Sequence, residues 1–312
     1  MYTLQSVKNA IEQPRLAIAE LNRIYHQGLG FRSRPANPDD GIDIVREDWD
    51  TLILLDACRF NAFDELLSDL PGELTRVESK ASATGQFLRA NFSDRELHDT
   101  VYVTANPQLY RVQDGTDGAA PINVDFHDQI EVWQDNWHEE HGTVMPEEVT
   151  EAALRAAEQY PHKRLIVHYL QPHTPYVGET GIGKLPTEYT SLWGAFRKGE
   201  VDVELETAKV AYRENVELLR PHVARLLSEL NGKTVVTADH GELLGERDSP
   251  IPIRRFGHPA HTDHPKLINV PWLVHERGSR RRIVSERPSG ETDNRSVDSD
   301  VVANRLRDLG YA

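Results

Sequence analysis

The chain has 312 residues, 38% of them hydrophobic, and its 50 acids against 35 bases give a formal net charge of −15. That length supports a full core in one large α/β domain or two smaller ones, and the negative balance repels phosphate backbones, which disfavours nucleic acid as a partner. A single cysteine, Cys58, excludes an intramolecular disulfide framework.

Of the bases 8 are Lys and 27 are Arg, and many acids with few lysines suit a surface kept hydrated in concentrated salt, so the chain reads as halophilic. Met1 to Lys8 is followed by no apolar leader-like run, and no stretch approaches the ~18 to 20 apolar residues that span a bilayer. The expectation is a cytoplasmic protein with at most peripheral membrane contact.

In chain order, Leu4 to Gln27 reads as a helix of mixed polarity interrupted by Pro14, within an N-terminal helical segment 1–45 that precedes a single domain over 46–312. Thr51–Asp56, Thr100–Thr104, Arg164–His168 and Thr234–Thr237 are short, nearly continuous apolar or β-branched runs, the pattern of strands buried on both faces of a parallel sheet. Between them, Pro146 to Gln159 opens with Pro and two acids, which fit a helix start. Glu204 to Leu230 repeats Tyr212, Val216, Leu219, Val223, Leu226, Leu227 and Leu230 at helical spacing, with a kink or break at Pro221. Residues 276–299 read as a polar loop before a last helix, Asp298 to Leu309. Alternating strands and helices predict a doubly wound α/β fold, a mostly parallel central sheet flanked by helices, with ligands beyond the carboxyl ends of the strands.

Three distant segments end strands in acids and imidazoles: Asp56, His168 with the following Gln171-Pro172-His173, and Asp239-His240. Two carboxylates and an imidazole converging on one sheet edge would bind a divalent cation of intermediate hardness. The competing reading is that Asp239 caps a helix starting at His240 and that Asp56 caps one starting near Arg59.

Asp56 in L-L-D-A-C-R, Thr84 in S-K-A-S-A-T-G-Q-F-L, His173 in Q-P-H-T-P-Y, the block T-A-D-H-G-E-L-L-G-E, and F-G-H-P followed by V-P-W-L-V resemble the sulfatase-like branch of the alkaline phosphatase superfamily, over about Asp50 to Val274. The resemblance implies an alkaline phosphatase-like three-layer sandwich with Asp56, Thr84, Asp239 and His240 around one cation, Zn²⁺ or Mn²⁺ first and Ca²⁺ or Mg²⁺ next. Thr84 would be both ligand and nucleophile, since a bound cation lowers the pKa of the hydroxyl. His173 and His258 would face the substrate's anionic oxygens and the leaving group. Arg59 follows Asp56 closely enough to reach an anionic substrate oxygen, or is an ordinary exposed Arg at a helix start. Ser79 and Ser82 are competing nucleophiles, Thr84 or Ser82 is alternatively a helix cap, and His261 and His264 are substitutes for His258.

Sulfatases carry a formylglycine derived from Cys in a C-x-P-S-R or C-x-A-x-R segment, whereas Cys58 stands in C-R-F-N-A, two residues after Asp56 and well before Thr84. Cys58 therefore reads as a packing residue. Gln171 stands where two-metal members carry an Asp, which argues against a second cation, and Arg280 to Arg282 reads as a solvated turn, with attraction of an anionic substrate or lipid surface as the alternative. These features imply a metal-dependent hydrolase or transferase acting on phosphate or sulfate esters through a covalent Thr84 intermediate. The substrate would be a small-molecule, glycan or lipid-linked anionic ester. The alternatives are a transferase placing a sulfuryl or phosphoryl group on a glycan or lipid-linked sugar, and an inactive binding protein of the same fold. Phosphomutase-like isomerisation is a weaker alternative.

Overall fold

The structure is a computed structural model that describes residues 41–186, 191–247, 253–288 and 299–311. The helix expected at Leu4 to Gln27 and its Pro14 lie outside the described residues, as does most of the segment 1–45. Eleven strands are present among the described residues: β1 Thr51–Leu55, β2 Glu73–Glu78, β3 Arg95–Thr104, β4 Val124–Glu131, β5 Trp137–His138, β6 Thr143–Val144, β7 Arg164–Tyr169, β8 Gly232–Thr237, β9 Leu243–Arg247, β10 Arg254–Gly257 and β11 Asn269–Arg277. Seven form one sheet in the order β2-β11-β8-β1-β7-β3-β4, while β9 with β10 and β5 with β6 make small antiparallel pairs. Within the large sheet β11 alone runs against its neighbours, pairing antiparallel with both β8 and β2, so β2 runs the same way as β8.

The central strands carry side chains that alternate between two cores. Ile53, Leu55, Val101, Val103, Leu165, Val167 and Val236 enter one cluster with the helices Pro146–Gln159, Leu205–Leu218 and Arg220–Glu229. Leu52, Leu54, Tyr102, Ile166 and Val235 enter the other, against Phe87, Leu88 and Phe92 of the helix Thr84–Phe92. Both faces are therefore covered, which is why these runs are continuously apolar instead of alternating with polar residues. Each such side chain contributes about 1.5–3 kcal/mol by leaving water. The arrangement is the expected mostly parallel α/β sandwich, flanked by helices.

The stripe from Tyr212 to Leu230 is divided between two helices, Leu205–Leu218 and Arg220–Glu229, meeting at Leu219. Pro221 sits in the first turn of the second helix, where its missing N–H costs nothing. The polar loop expected at 276–299 begins two residues late, because β11 continues to Arg277, and the last helix is Ser299–Asp308.

Register brings the functional ends together. Leu55 of β1 is level with Tyr169 of β7, and Leu54 is level with Thr237 of β8. Asp56, the 170–173 turn and Asp239 consequently leave the sheet side by side, with the turn after β2 carrying Ser79 to Thr84 at the same edge.

Candidate active site

Asp56 follows β1 with its N–H donating to Tyr169 O at 3.3 Å, and its Oδ2 accepts from Asn106 Nδ2 at 2.6 Å. Asn106 comes from the turn after β3, a fourth strand end at the same edge. Asp239 lies two residues past the end of β8, and its Oδ1 accepts from the backbone N–H groups of Ala57 at 3.1 Å and His240 at 2.8 Å. Ala57 adopts a left-handed φ of 63°, which turns its N–H toward that carboxylate. Neither acid caps a helix. The helix after Asp56 starts at Phe60 without a side-chain cap, and Asp239-His240 leads through a loop into β9. The capping alternative is thereby excluded for both.

Thr84 is the first residue of the helix Thr84–Phe92, whose flanking Ala83 is extended and makes no side-chain cap. Its Oγ1 lies 3.1 Å from His240 Nε2 and 3.5 Å from Asp56 Oδ1. The competing hydroxyls are turned elsewhere: Ser79 Oγ donates to Asp239 O, and Ser82 Oγ donates to Pro259 O at 2.9 Å and accepts from Thr262 N–H at 3.2 Å.

The tautomer of His240 follows from its other contact. Nδ1 lies 2.8 Å from Gly241 O, a pure acceptor, so Nδ1 carries the proton and Nε2 presents a lone pair. Burial, with the neighbouring His258, holds the imidazole well below its usual pKa, so Nε2 stays unprotonated. That lone pair faces Asp239 Oδ2 at 3.3 Å and Asp56 Oδ1 at 3.8 Å, and Asp239 Oδ2 is buried without a hydrogen-bond partner. Burial, with Asp239 and Glu242 nearby, pushes the Asp56 carboxyl well above the usual range, and burial also raises Asp239. Two buried carboxylates, an imidazole lone pair and a hydroxyl turned on one another are mutually unfavourable without a positive charge among them. The donor set therefore fits a divalent cation.

His168 adds a nitrogen that the sequence placed at a strand end without a role. Its Nδ1 is 2.7 Å from Tyr102 Oη, its Nε2 is buried without a partner, and its ligand atom lies within 4.8 Å of those of Asp56 and Asp239. Burial brings its pKa down to about 4.

Beside this set lie His173, Glu242 and His258, also within 4.8 Å of one another. His173 Nδ1 donates to Thr174 O, leaving Nε2 as an acceptor, and burial and His258 keep the ring neutral. His258 Nδ1 is 3.1 Å from Glu242 Oε1; burial works against its charge, but Glu242 outweighs burial and raises its pKa. Glu242 is the fourth residue of the D-H-G-E block and fully buried, and no local pattern signals its bond to His258. His261 N–H and Nδ1 are taken up by Gln86, and His264 Nδ1 accepts from Lys266 N–H at 3.1 Å, so neither joins His173 and Glu242. Tyr311, brought from far along the chain, stacks on His173 with centroids 5.3 Å apart.

Arg59 lies at the same edge but is committed to another acid: Nη2 pairs with Glu246 Oε1, and its N–H donates to Tyr212 Oη at 3.0 Å. Gln171 points away into the fold, donating to Val144 O at 3.0 Å. Cys58 is fully buried, and burial raises its thiol pKa, so it is an inert packing residue.

No protein-family model matches the chain, and no curated protein matches it. Among solved structures, the chain is similar to the integral membrane lipooligosaccharide phosphoethanolamine transferase A of Neisseria meningitidis, at 15% identity and a TM-score of 0.46, over 72% of this chain and 47% of that one. It is similar to the C-terminal periplasmic domain of EptC from Escherichia coli in complex with zinc, at 15% identity and a TM-score of 0.45, over 77% of this chain and 76% of that one. A phosphonate monoester hydrolase from Silicibacter pomeroyi follows at 15% identity and 0.40, over 83% and 72%. These proteins are sulfatase-like members of the alkaline phosphatase superfamily. The chain spans about half the length of the full transferase it resembles. The cytoplasmic expectation is corrected here, because the similar EptC structure is a periplasmic domain. One cysteine and an acidic surface are compatible with either compartment. No helix among the described residues is long and apolar enough to cross a membrane.

Proposed function

We propose that the chain is a metal-dependent hydrolase or transferase of phosphate or sulfate esters, with Thr84 as the nucleophile. The observation that carries this reading is the convergence of Thr84 Oγ1, Asp56 Oδ1 and the buried, unpartnered Asp239 Oδ2 on the lone pair of His240 Nε2. Asp56, Thr84, Asp239 and His240 would hold one cation, Zn²⁺ or Mn²⁺ by the mixture of oxygen and nitrogen donors. When bound, the cation lowers the pKa of the Thr84 hydroxyl and neutralises charge on the ester oxygens.

The chain's own groups supply the rest. Thr84 Oγ1, its hydroxyl proton lost to solvent, forms a bond to phosphorus or sulfur as the bond to the leaving oxygen breaks. His258, whose charged form Glu242 favours, would give that oxygen a proton, and His173, whose Nε2 can only accept, would hold the Tyr311 hydroxyl beside the site. The covalent Thr84 ester is then resolved by water in a hydrolase or by an alcohol in a transferase, two outcomes that share every earlier step. Small-molecule, glycan and lipid-linked esters all suit such a centre. Arg59, ion-paired with Glu246, contributes to the anion site by anchoring the loop after β1.

The test is turnover of paired aryl phosphate and aryl sulfate esters by purified protein in high salt with Mn²⁺ or Zn²⁺. Thr84→Ala is expected to lose at least about 10³-fold in kcat, by analogy with removal of an activated nucleophile; full metal-dependent turnover in that variant rules Thr84 out. Asp239→Asn is expected to lose the tightly bound ion in metal analysis while the fold persists. Addition of sugar or alcohol acceptors separates transfer from hydrolysis by the appearance of a new ester.

A further inference from the structure

The helix Ser299–Asp308 returns the chain to the sheet edge that carries Thr84. Val302, Leu306 and Leu309 are buried in the larger core, Arg305 makes a two-pronged pair with Glu139, and its guanidinium lies 4.8 Å over the Trp137 ring. Beyond the helix, Gly310 takes a left-handed φ of 85°, and Tyr311 N–H donates to Leu306 O at 2.9 Å. A closing turn of this kind fixes the direction of the next side chain.

That side chain enters the candidate active site. The Tyr311 ring lies flat on His173, at an interplanar angle of 12°, and 5.9 Å from the His258 ring. Its hydroxyl is 3.3 Å from His173 Nε2 and 3.5 Å from Thr84 Oγ1. Because His173 Nδ1 already donates to Thr174 O, Nε2 can only accept, and the phenol is the donor of that pair. Both contacts are long beside the roughly 2.5–3.0 Å of a settled O–H···O bond. The phenol O–H therefore has no strong partner, at the point where a group attached to Thr84 Oγ1 would project its oxygens.

We propose that Tyr311 is an anion donor: its O–H turns from His173 Nε2 to a non-bridging oxygen of the tetrahedral phosphate or sulfate group that Thr84 attacks, beside His258. The assignment rests on the reading of Thr84 as nucleophile. Its effect is to hold the anion against the helix start.

Tyr311→Phe keeps the stacked ring and removes only the donor. Calorimetric titration of metal-loaded protein with inorganic phosphate and with sulfate is expected to show about 10- to 100-fold weaker binding of the preferred anion in Tyr311→Phe, with a similar loss in kcat/KM on aryl esters. Melting temperature and metal stoichiometry should be unchanged. Equal anion affinity in Tyr311→Phe and wild type overturns the assignment, because the ring then only packs. Tighter binding in the variant also overturns it, since the phenol would be occupying the anion's place. Failure of both anions to bind the wild type overturns it as well. If Thr84→Ala keeps full turnover while Tyr311→Phe loses anion affinity, the nucleophile is wrong and the donor stands.

Discussion

Gly241 occupies a place where any side chain would collide: a Cβ there would come within 2.1 Å of Lys266 O and 3.4 Å of Arg59 Cγ. Its N–H also donates to Leu267 O at 2.7 Å, so the segment 265–268 is clamped against the Asp239-His240 turn. The glycine is required by this backbone approach. Gly241→Ala should destabilise by about 1–3 kcal/mol through overpacking and weaken metal binding by tilting His240; urea unfolding together with metal titration would show both effects, and an unperturbed protein would refute the clamp. Cys58→Ala is expected to keep turnover within about twofold, since burial leaves the thiol unreactive; loss of activity without loss of stability would restore a role for the thiol. The D-H-G-E block made Asp239 and His240 legible because acids and imidazoles are rare at buried strand ends. Glu242 and Tyr311 were not legible, because their partners, His258 and His173, are 16 and 138 residues away and no spacing rule connects them.

At the scale of elements, the four strands visible in the sequence are the buried centre of the sheet or adjoin it, where continuous apolar runs betray themselves. The edge strand β2, with its residues mostly exposed or half-buried, and the short pair β9 and β10 carry no comparable pattern and emerge only through pairing. The segment that opens the described chain is tied down electrostatically. Burial tends to raise the Asp43 carboxyl, but hydrogen bonds from Arg95 and Lys80 outweigh it and bring the pKa down to about 2. A carboxylate whose folded pKa lies below its unfolded value of 3.8 adds stability that is full above about pH 4 and fades between 3.8 and about 2. Asp43→Asn should therefore lower stability at neutral pH and flatten that acid limb in urea titrations. An unchanged acid limb would show that the pairs are not formed in solution.

For the molecule as a whole, a net charge of −15 sets a self-repulsion that dissolved salt screens over a Debye length of about 10 Å at 0.1 M and about 3 Å at 1 M. The melting temperature should rise between 0.1 and 1 M KCl and continue to rise in a halophilic protein; a fall across that range would reject the reading of the surface as salt-adapted. By itself, the sequence determined the sheet's central strands, the location of the candidate site at their carboxyl ends and the residue types of the proposed cation shell, because burial on both faces and metal-grade side chains leave local marks. Only the tertiary structure decided that neither acid caps a helix, that Arg59 is paired with Glu246, that Glu242 pairs with His258 and that the Tyr311 hydroxyl lies beside Thr84. These depend on the register of β1, β7 and β8 and on the docking of residues 299–311, and contacts between segments far apart in the chain leave no periodicity in either segment alone.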